Sequence, residues 1–181
     1  DVCSSDLELS QQLKSGDAII PSSSGGAMTV TMQSLMQPKG TYIVTDKSLA
    51  SMGYGLAGAI GAAFATNGRV IHIEGDGGFA QNLQELGTVS NQNLNIKTFI
   101  LNNYGYASIR MTQQNYYNGE YIGCDAETGL GLPNWEYLCN AFGIRTYVMN
   151  PKLGFSEERI RAALMDSLPA LFVDRKSTRL N

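Results

Sequence analysis

Apolar residues fall along this chain in six short β-branched runs separated by stretches of helical length. The runs are AIIP (18–21), TYIVT (41–45), VIHIEG (70–75), IKTFILN (96–102), RTYVM (145–149) and ALFVD (170–174). Between them stand AMTVTMQSLM, GYGLAGAIGAAFA, FAQNLQELGTVSNQ, NWEYLCNAFG and SEERIRAALMDSL. Stop and start signals mark several of these. Asn67-Gly68 ends one helix, Pro133-Asn134 sets up another, and Ser156 with Glu158 and Arg159 opens the last. Strands apolar enough for burial on both faces, alternating with helices, predict an α/β fold: a doubly wound, mostly parallel six-stranded sheet with helices on both faces. Residues 102–134 are left as one irregular stretch. Long connections inside a compact domain are usually functional or disordered.

Polar residues gather where three of the strands end, in PSSSGGAM, EGDGGF and LNNYGY. Ligands of open α/β sheets sit beyond the carboxyl ends of the strands. Asp76 is the odd residue there, because a helix N-terminus with bare N–H groups suits an anion rather than a carboxylate. A cation standing between the two removes the conflict. Asn102-Asn103 follow the next run, and adjacent strands lie ~4.8 Å apart, so Asp76 and an asparagine can reach one ion. A carboxylate, an amide oxygen and a carbonyl near Gly105 form a hard oxygen set that suits Mg²⁺. So few protein ligands leave room for phosphate oxygens, and Gly77 and Gly78 let backbone N–H groups approach a phosphate. Alone, GDGG reads equally as a tight turn and NN as a turn or cap. Together at successive strand ends they are more specific.

Composition narrows the classes without choosing among them. The 181 residues suit one domain, and a formal net charge of −3 gives no electrostatic reason to expect nucleic acid or an anionic membrane as partner. No apolar run approaches the ~20 residues of a membrane span. Cys3, Cys124 and Cys139 form no ligand cluster and are expected as reduced thiols in a cytoplasmic protein. The ends, DVCSSDL and RKSTRLN, resemble translated adapter or vector sequence. Residues 1–6 and 175–181 are therefore set aside as non-native, leaving a domain over 7–174 that is expected to be a fragment of a longer chain.

Other motifs compete. GYGLAG (Gly53, Gly55, Gly58), with Glu74 about twenty residues on, matches a dinucleotide fingerprint and would make this a Rossmann-like oxidoreductase domain. SLASM, however, separates it from the preceding strand. A phosphate-binding domain without chemistry is a further alternative. His72 is expected as a buried, satisfied core histidine. Tyr104, Tyr106, Arg110, Gln113 and Gln114 are candidates for substrate contact, with Tyr106 and Gln113 foremost. SIRMTQQNYY reads equally as an interface helix.

GDGG followed 24 residues later by NN resembles the thiamine diphosphate motif of thiamine-dependent 2-oxoacid decarboxylases and carboligases, and the acetolactate synthase-like group most closely. SLASMGYGLAGAIGAAFA and NLQELGTV are similar to the segments flanking that motif, so the resemblance covers 7–174 as the C-terminal, diphosphate-binding domain. It implies that Asp76 and Asn103 ligate Mg²⁺ by side chain and Gly105 by its carbonyl. Gly75, Gly77 and Gly78 would lie along the diphosphate, with Ser24 and Gly25 on its other side. Ala50 and Met52 would meet the aminopyrimidine by backbone, and the Met52 side chain would bend the cofactor into a V. On composition alone Met52 would be core. The implied reaction decarboxylates a 2-oxoacid and protonates the resulting enamine or joins it to a second carbonyl. The activating glutamate would come from a separate N-terminal domain, often of a partner subunit, in a homodimer or homotetramer. FAD, which some relatives carry, would sit on a middle domain. The sequence departs from acetolactate synthases at Asp46, Lys47, Ser48 and Ala50, where they are glycine-rich, and PSSSGGAM lacks their Gln and His.

Overall fold

Strands form where the β-branched runs lie: β1 Ala18–Pro21, β2 Tyr42–Ile43, β3 Val70–Gly75, β4 Ile96–Asn102, β5 Arg145–Met149 and β6 Ala170–Arg175. The computed structural model describes residues 2–22, 24–149 and 152–175. The strands make one sheet in the order β2-β1-β3-β4-β6-β5, and every pairing is parallel. β1, β3, β4 and β5 keep the predicted bounds. β2 is shorter than TYIVT because it is an edge strand with Tyr42 exposed.

Helices cover both faces, as expected of a sheet buried on both sides. They are α1 Val2–Ser10, α2 Gly25–Ser34, α3 Tyr54–Thr66, α4 Asp76–Phe79, α5 Leu86–Asn91, α6 Ala107–Tyr116, α7 Trp135–Ala141 and α8 Glu158–Met165. One core joins α3, α4, α5 and α7 to the sheet through Leu56, Ala59, Phe79, Val89 and Trp135. The other joins α1, α2 and α8 through Leu9, Ala27, Ile160 and Leu164. Strand alternation sorts the residues: Val70 faces the first core, and Ile71 and Ile73 the second.

Several local expectations change. Residues 2–6, set aside above, lie in α1, where Asp6 is buried and accepts a hydrogen bond from Ser34 Oγ at 2.8 Å. At the other end Arg175 closes β6, and residues 176–181 fall outside the described residues. FAQNLQELGTVSNQ is not one helix. α4 starts earlier, at Asp76, and leads into a 3-10 stretch broken at Asn82 (φ −142°, ψ 35°). There the Asn82 side chain reaches across to Gly53 O at 3.4 Å, a bond to a distant part of the chain that the broken turn accommodates. Ser156 does not cap α8. It lies in a 3-10 turn with its hydroxyl on Leu153 O, and Glu157 precedes the helix. Asn134 caps α7 as expected, accepting from Glu136 N and Tyr137 N. The stretch 102–134 contains α6 and a 3-10 turn at Ala126–Thr128.

Strand order positions the site. From β1 the chain moves out to β2, then returns past β1 to β3, so the order reverses between β1 and β3. A crevice at such a reversal is where doubly wound sheets bind ligands. The segments after β1, β3 and β4 all open there.

Candidate functional site

Asp76 is the first residue of α4 and follows Gly75, which is still extended (φ −80°, ψ 151°). β3 and β4 are neighbours, and their last pair is Gly75 with Leu101, which brings Asp76 level with Asn102 and the loop after it. The Asp76 carboxylate is only 1% exposed. Its Oδ1 accepts from Gly77 N at 2.8 Å and its Oδ2 from Gly105 N at 3.0 Å. Burial pushes its pKa above the usual carboxylate value, although the N–H groups of Gly77, Gly105, Tyr104 and Asn103 pull it back. A bound cation would reverse that balance and hold the group ionised.

The loop after β4 completes the arrangement. Asn103 Oδ1 is buried and has no hydrogen-bond partner. An unpaired buried amide oxygen is costly, of order 1–3 kcal/mol, so an orphan beside a buried carboxylate fits a cation ligand. Tyr104 (φ 63°) and Gly105 (φ 136°) turn the loop sharply back. Only glycine suits position 105, because a methyl group there would stand 2.2 Å from Cys124 O. Among the described residues no cluster of three or more His, Cys, Asp or Glu side chains gathers into a metal site. A cation at Asp76 would therefore be completed by Asn103, by carbonyl oxygen and by its ligand's own oxygens. That donor set fits Mg²⁺.

The diphosphate side is built from the ends of β1 and β3. Ser24 precedes α2 without a side-chain cap bond, and Gly25 (φ 67°) is its first residue. Gly75 borders open space. The N–H of Gly77, expected on a phosphate, is directed at the Asp76 carboxylate instead. The first N–H groups of a helix lack intrahelical partners, which suits an anion lying across Gly75–Gly78. The Tyr106 ring lies over Gly77 so closely that a methyl group at 77 would meet it at 2.3 Å. Ala50 takes a left-handed φ of 52°, a conformation that costs a non-glycine residue of order 1 kcal/mol and gathers at functional sites. Met52 is 48% exposed, so the core reading fails and its side chain is open to contact.

The loop residues divide. Tyr106 stays beside the site, its hydroxyl accepting from Gln81 Nε2 at 2.7 Å. Gln113 is occupied elsewhere: Nε2 donates to Ile122 O at 3.1 Å and Oε1 accepts from Ile122 N at 3.3 Å. Gln114 accepts from the Tyr121 hydroxyl, and Arg110 is committed to backbone carbonyls. In this structure the Gln113 amide clasps the following loop.

The dinucleotide reading also loses its geometry. α3 follows a turn rather than a strand, and Glu74 faces the interior. Its carboxylate bonds Ser22 Oγ and lies 3.2 Å from His72 Nε2, whose Nδ1 is 3.3 Å from Thr98 Oγ1. A methyl group at position 55 would stand 1.9 Å from Glu74 Oε2, so the small residues of α3 serve close packing. His72 is buried and satisfied, as expected. The Ser22–Glu74–His72–Thr98 chain was missed as a unit. Its signal is two polar residues at alternate positions of an apolar strand, which put both on one face.

Known proteins share this sequence pattern and fold. The family model described as "Thiamine pyrophosphate enzyme, C-terminal TPP binding domain" matches residues 24–173. The acetolactate synthase large subunit of Porphyra purpurea is 34% identical over 134 residues, covering 74% of this chain and 22% of that protein. That of Cyanidium caldarium is 42% identical over 103 residues, 56% of this chain and 17% of that protein. The isozyme 2 large subunit of Escherichia coli K12 is 34% identical over 133 residues, 72% and 24%. The chain thus spans under a quarter of these relatives' length. Among solved structures, the Rhodococcus jostii RHA1 thiamine diphosphate-dependent 4-hydroxybenzoylformate decarboxylase shares the fold, with a TM-score of 0.75 at 21% identity over 97% of this chain and 32% of that one. With the family model spanning β2 to β6 and the segments after β3 and β4, the chain belongs to the C-terminal TPP-binding domain family of thiamine pyrophosphate enzymes.

Proposed function

We propose that this chain holds thiamine diphosphate through Mg²⁺ and is the diphosphate-binding half of the active site of an acetolactate synthase-like enzyme. Its substrate is a 2-oxoacid, and the product is released as an aldehyde or joined to a second carbonyl compound, as a lyase or a transferase. The observation that carries the reading is the buried Asp76 carboxylate, reached by the N–H groups of the loop after β4, together with the unpartnered Oδ1 of Asn103 on that same loop.

Bound thiamine diphosphate supplies an electron sink for loss of CO₂ from a 2-oxoacid. The work of this chain is to bind and orient it. Asp76, Asn103 and the Gly105 carbonyl would hold the metal. Ser24, Gly25, Gly75 and Gly78 offer the polar walls of the diphosphate crevice. Ala50 and Met52 stand on the loop that would meet the aminopyrimidine, and the exposed Met52 thioether supplies an apolar surface. Tyr106 is the remaining substrate-side candidate. No carboxylate here is assigned to cofactor activation. That group is expected from an N-terminal domain, with the assembly a homodimer or homotetramer in the cytoplasm. FAD, where an enzyme of this kind carries it, would sit on a middle domain of the longer chain. Cys124 and Cys139 are buried free thiols, and burial pushes the Cys139 thiol up to about 11, away from the reactive thiolate. Among the described residues no helix is long and apolar enough to cross a membrane.

The test is release of CO₂ from a panel of 2-oxoacids. The intact enzyme is expected to turn over at least one with thiamine diphosphate and Mg²⁺ present, and the isolated chain none. Turnover by the isolated chain would contradict the half-site reading.

A further inference from the structure

The loop that carries Asn103 and Gly105 is bent against its local preference, with positive φ at Tyr104 and Gly105 in succession. Something must hold it. Gly105 N is bonded to Asp76, and Tyr106 N to Cys124 O at 2.8 Å. The Asn103 and Tyr104 N–H groups also reach Asp76, and a further restraint is Arg110, one turn into α6. Its Nη2 donates to Asn103 O at 3.1 Å and its Nη1 to Cys124 O at 3.1 Å, with Tyr104 O at 3.5 Å. The same guanidinium packs on Gly105, where a methyl group would meet Nη1 at 3.0 Å. Asp125 lies against the same point, its Cα 3.2 Å from where that methyl group would stand, and its carboxyl is held below its usual pKa by the Thr128 hydroxyl first and by Arg110 among lesser causes.

We propose that Arg110 is a positioning residue for the metal: its planar fork fixes the carbonyls of Asn103 and Cys124, and so aims the Asn103 amide oxygen and the Gly105 backbone at the cation held by Asp76. This rests on the magnesium reading above. Arginine suits the task because it reaches two carbonyls at fixed angles, whereas a lysine ammonium is a single point with no fork. The direction of the effect separates positioning from charge. Removing a positive charge near a cation site would by itself tighten cation binding. Loss of an outer partner of the ligands weakens it, typically by about 10- to 100-fold.

The experiment compares wild type, Arg110→Ala and Arg110→Lys in the intact enzyme, with two readouts. Magnesium is titrated calorimetrically at saturating thiamine diphosphate, and amide hydrogen exchange is followed without metal. Arg110→Ala is expected to weaken magnesium binding by about 10- to 100-fold, with Arg110→Lys in between. Exchange is expected to quicken at Gly105 and Tyr106 while the amides of β3 and β4 keep their protection. If Arg110→Ala loses protection throughout the sheet, Arg110→Lys decides by the same readouts. Magnesium binding as tight as wild type or tighter, or unchanged protection at Gly105 and Tyr106, overturns the proposal alone. Absence of magnesium-dependent binding in the wild type overturns the cofactor reading and this proposal with it.

Discussion

The two ends of the sheet both bury charge, and they treat it in opposite ways. At the amino end, Arg69 and Asp17 form a two-pronged ion pair, with Nε and Nη2 at 3.0 Å and 2.6 Å from the carboxylate. Two further guanidinium hydrogens go to Gln12 O and Leu164 O, and Lys97 donates to Leu168 O. At the carboxyl end Asp76 has only backbone N–H partners, Asn103 Oδ1 has none, and the backbone at Ala50, Tyr104 and Gly105 takes positive φ. A closed set of bonds is what a fold needs of a buried charge. An open one, held in strained backbone, is what a ligand site needs.

That contrast can be broken most forcefully at the amino end. Asp17→Ala strands the Arg69 guanidinium, whose side chain is 9% exposed, and should cost about 3–5 kcal/mol of stability. Urea denaturation measures the loss, and thiamine diphosphate affinity of the remaining folded enzyme should be unchanged. Gly105→Ala should show the reverse pattern. It places a methyl group against Cys124 O at an unfavourable φ, costing about 1–3 kcal/mol in strain while disrupting magnesium binding out of proportion. Calorimetry of the folded variant against magnesium separates the two losses.

The smallest effect concerns Lys97, fully buried on β4, whose pKa burial lowers to about 8 from 10.5. The fold disfavours its charged form. That penalty is complete below pH 8, is relieved as the folded protein sheds the proton above it, and disappears near the unfolded value of about 10.4. Lys97 should therefore make stability rise with pH across that window, and Lys97→Met should flatten the rise. Parallel stability curves for the two proteins would show that the ammonium is better solvated than its burial implies.

Legibility in the sequence followed the same division between closed and open regions. The strands were readable because burial on both faces leaves unbroken β-branched runs, and VIHIEG and IKTFILN became β3 and β4 with their predicted bounds. Their adjacency turned Asp76 and Asn103 from two ambiguous turns into one site. α6 was readable only as one of two alternatives, substrate loop or interface helix, because none of its residues is buried to decide between them. With α6 unplaced, Gln113 and Arg110 looked free to meet substrate, when both side chains are spent on the backbone of neighbouring loops. Asn82 hid the break after α4 because its bond is to Gly53, far away in sequence. Met52 would pass for core by composition, but the flanking segments set it apart as a cofactor candidate, and its side chain is half exposed.

The most direct measurement is a calorimetric titration of the intact enzyme with thiamine diphosphate, with Mg²⁺ and again with EDTA, for wild type and Asp76→Ala. Tight binding confined to wild type with Mg²⁺, and weaker by more than about 100-fold in the other three cases, is the predicted result. Binding that survives both EDTA and the loss of the Asp76 carboxylate would contradict the metal-bridged site.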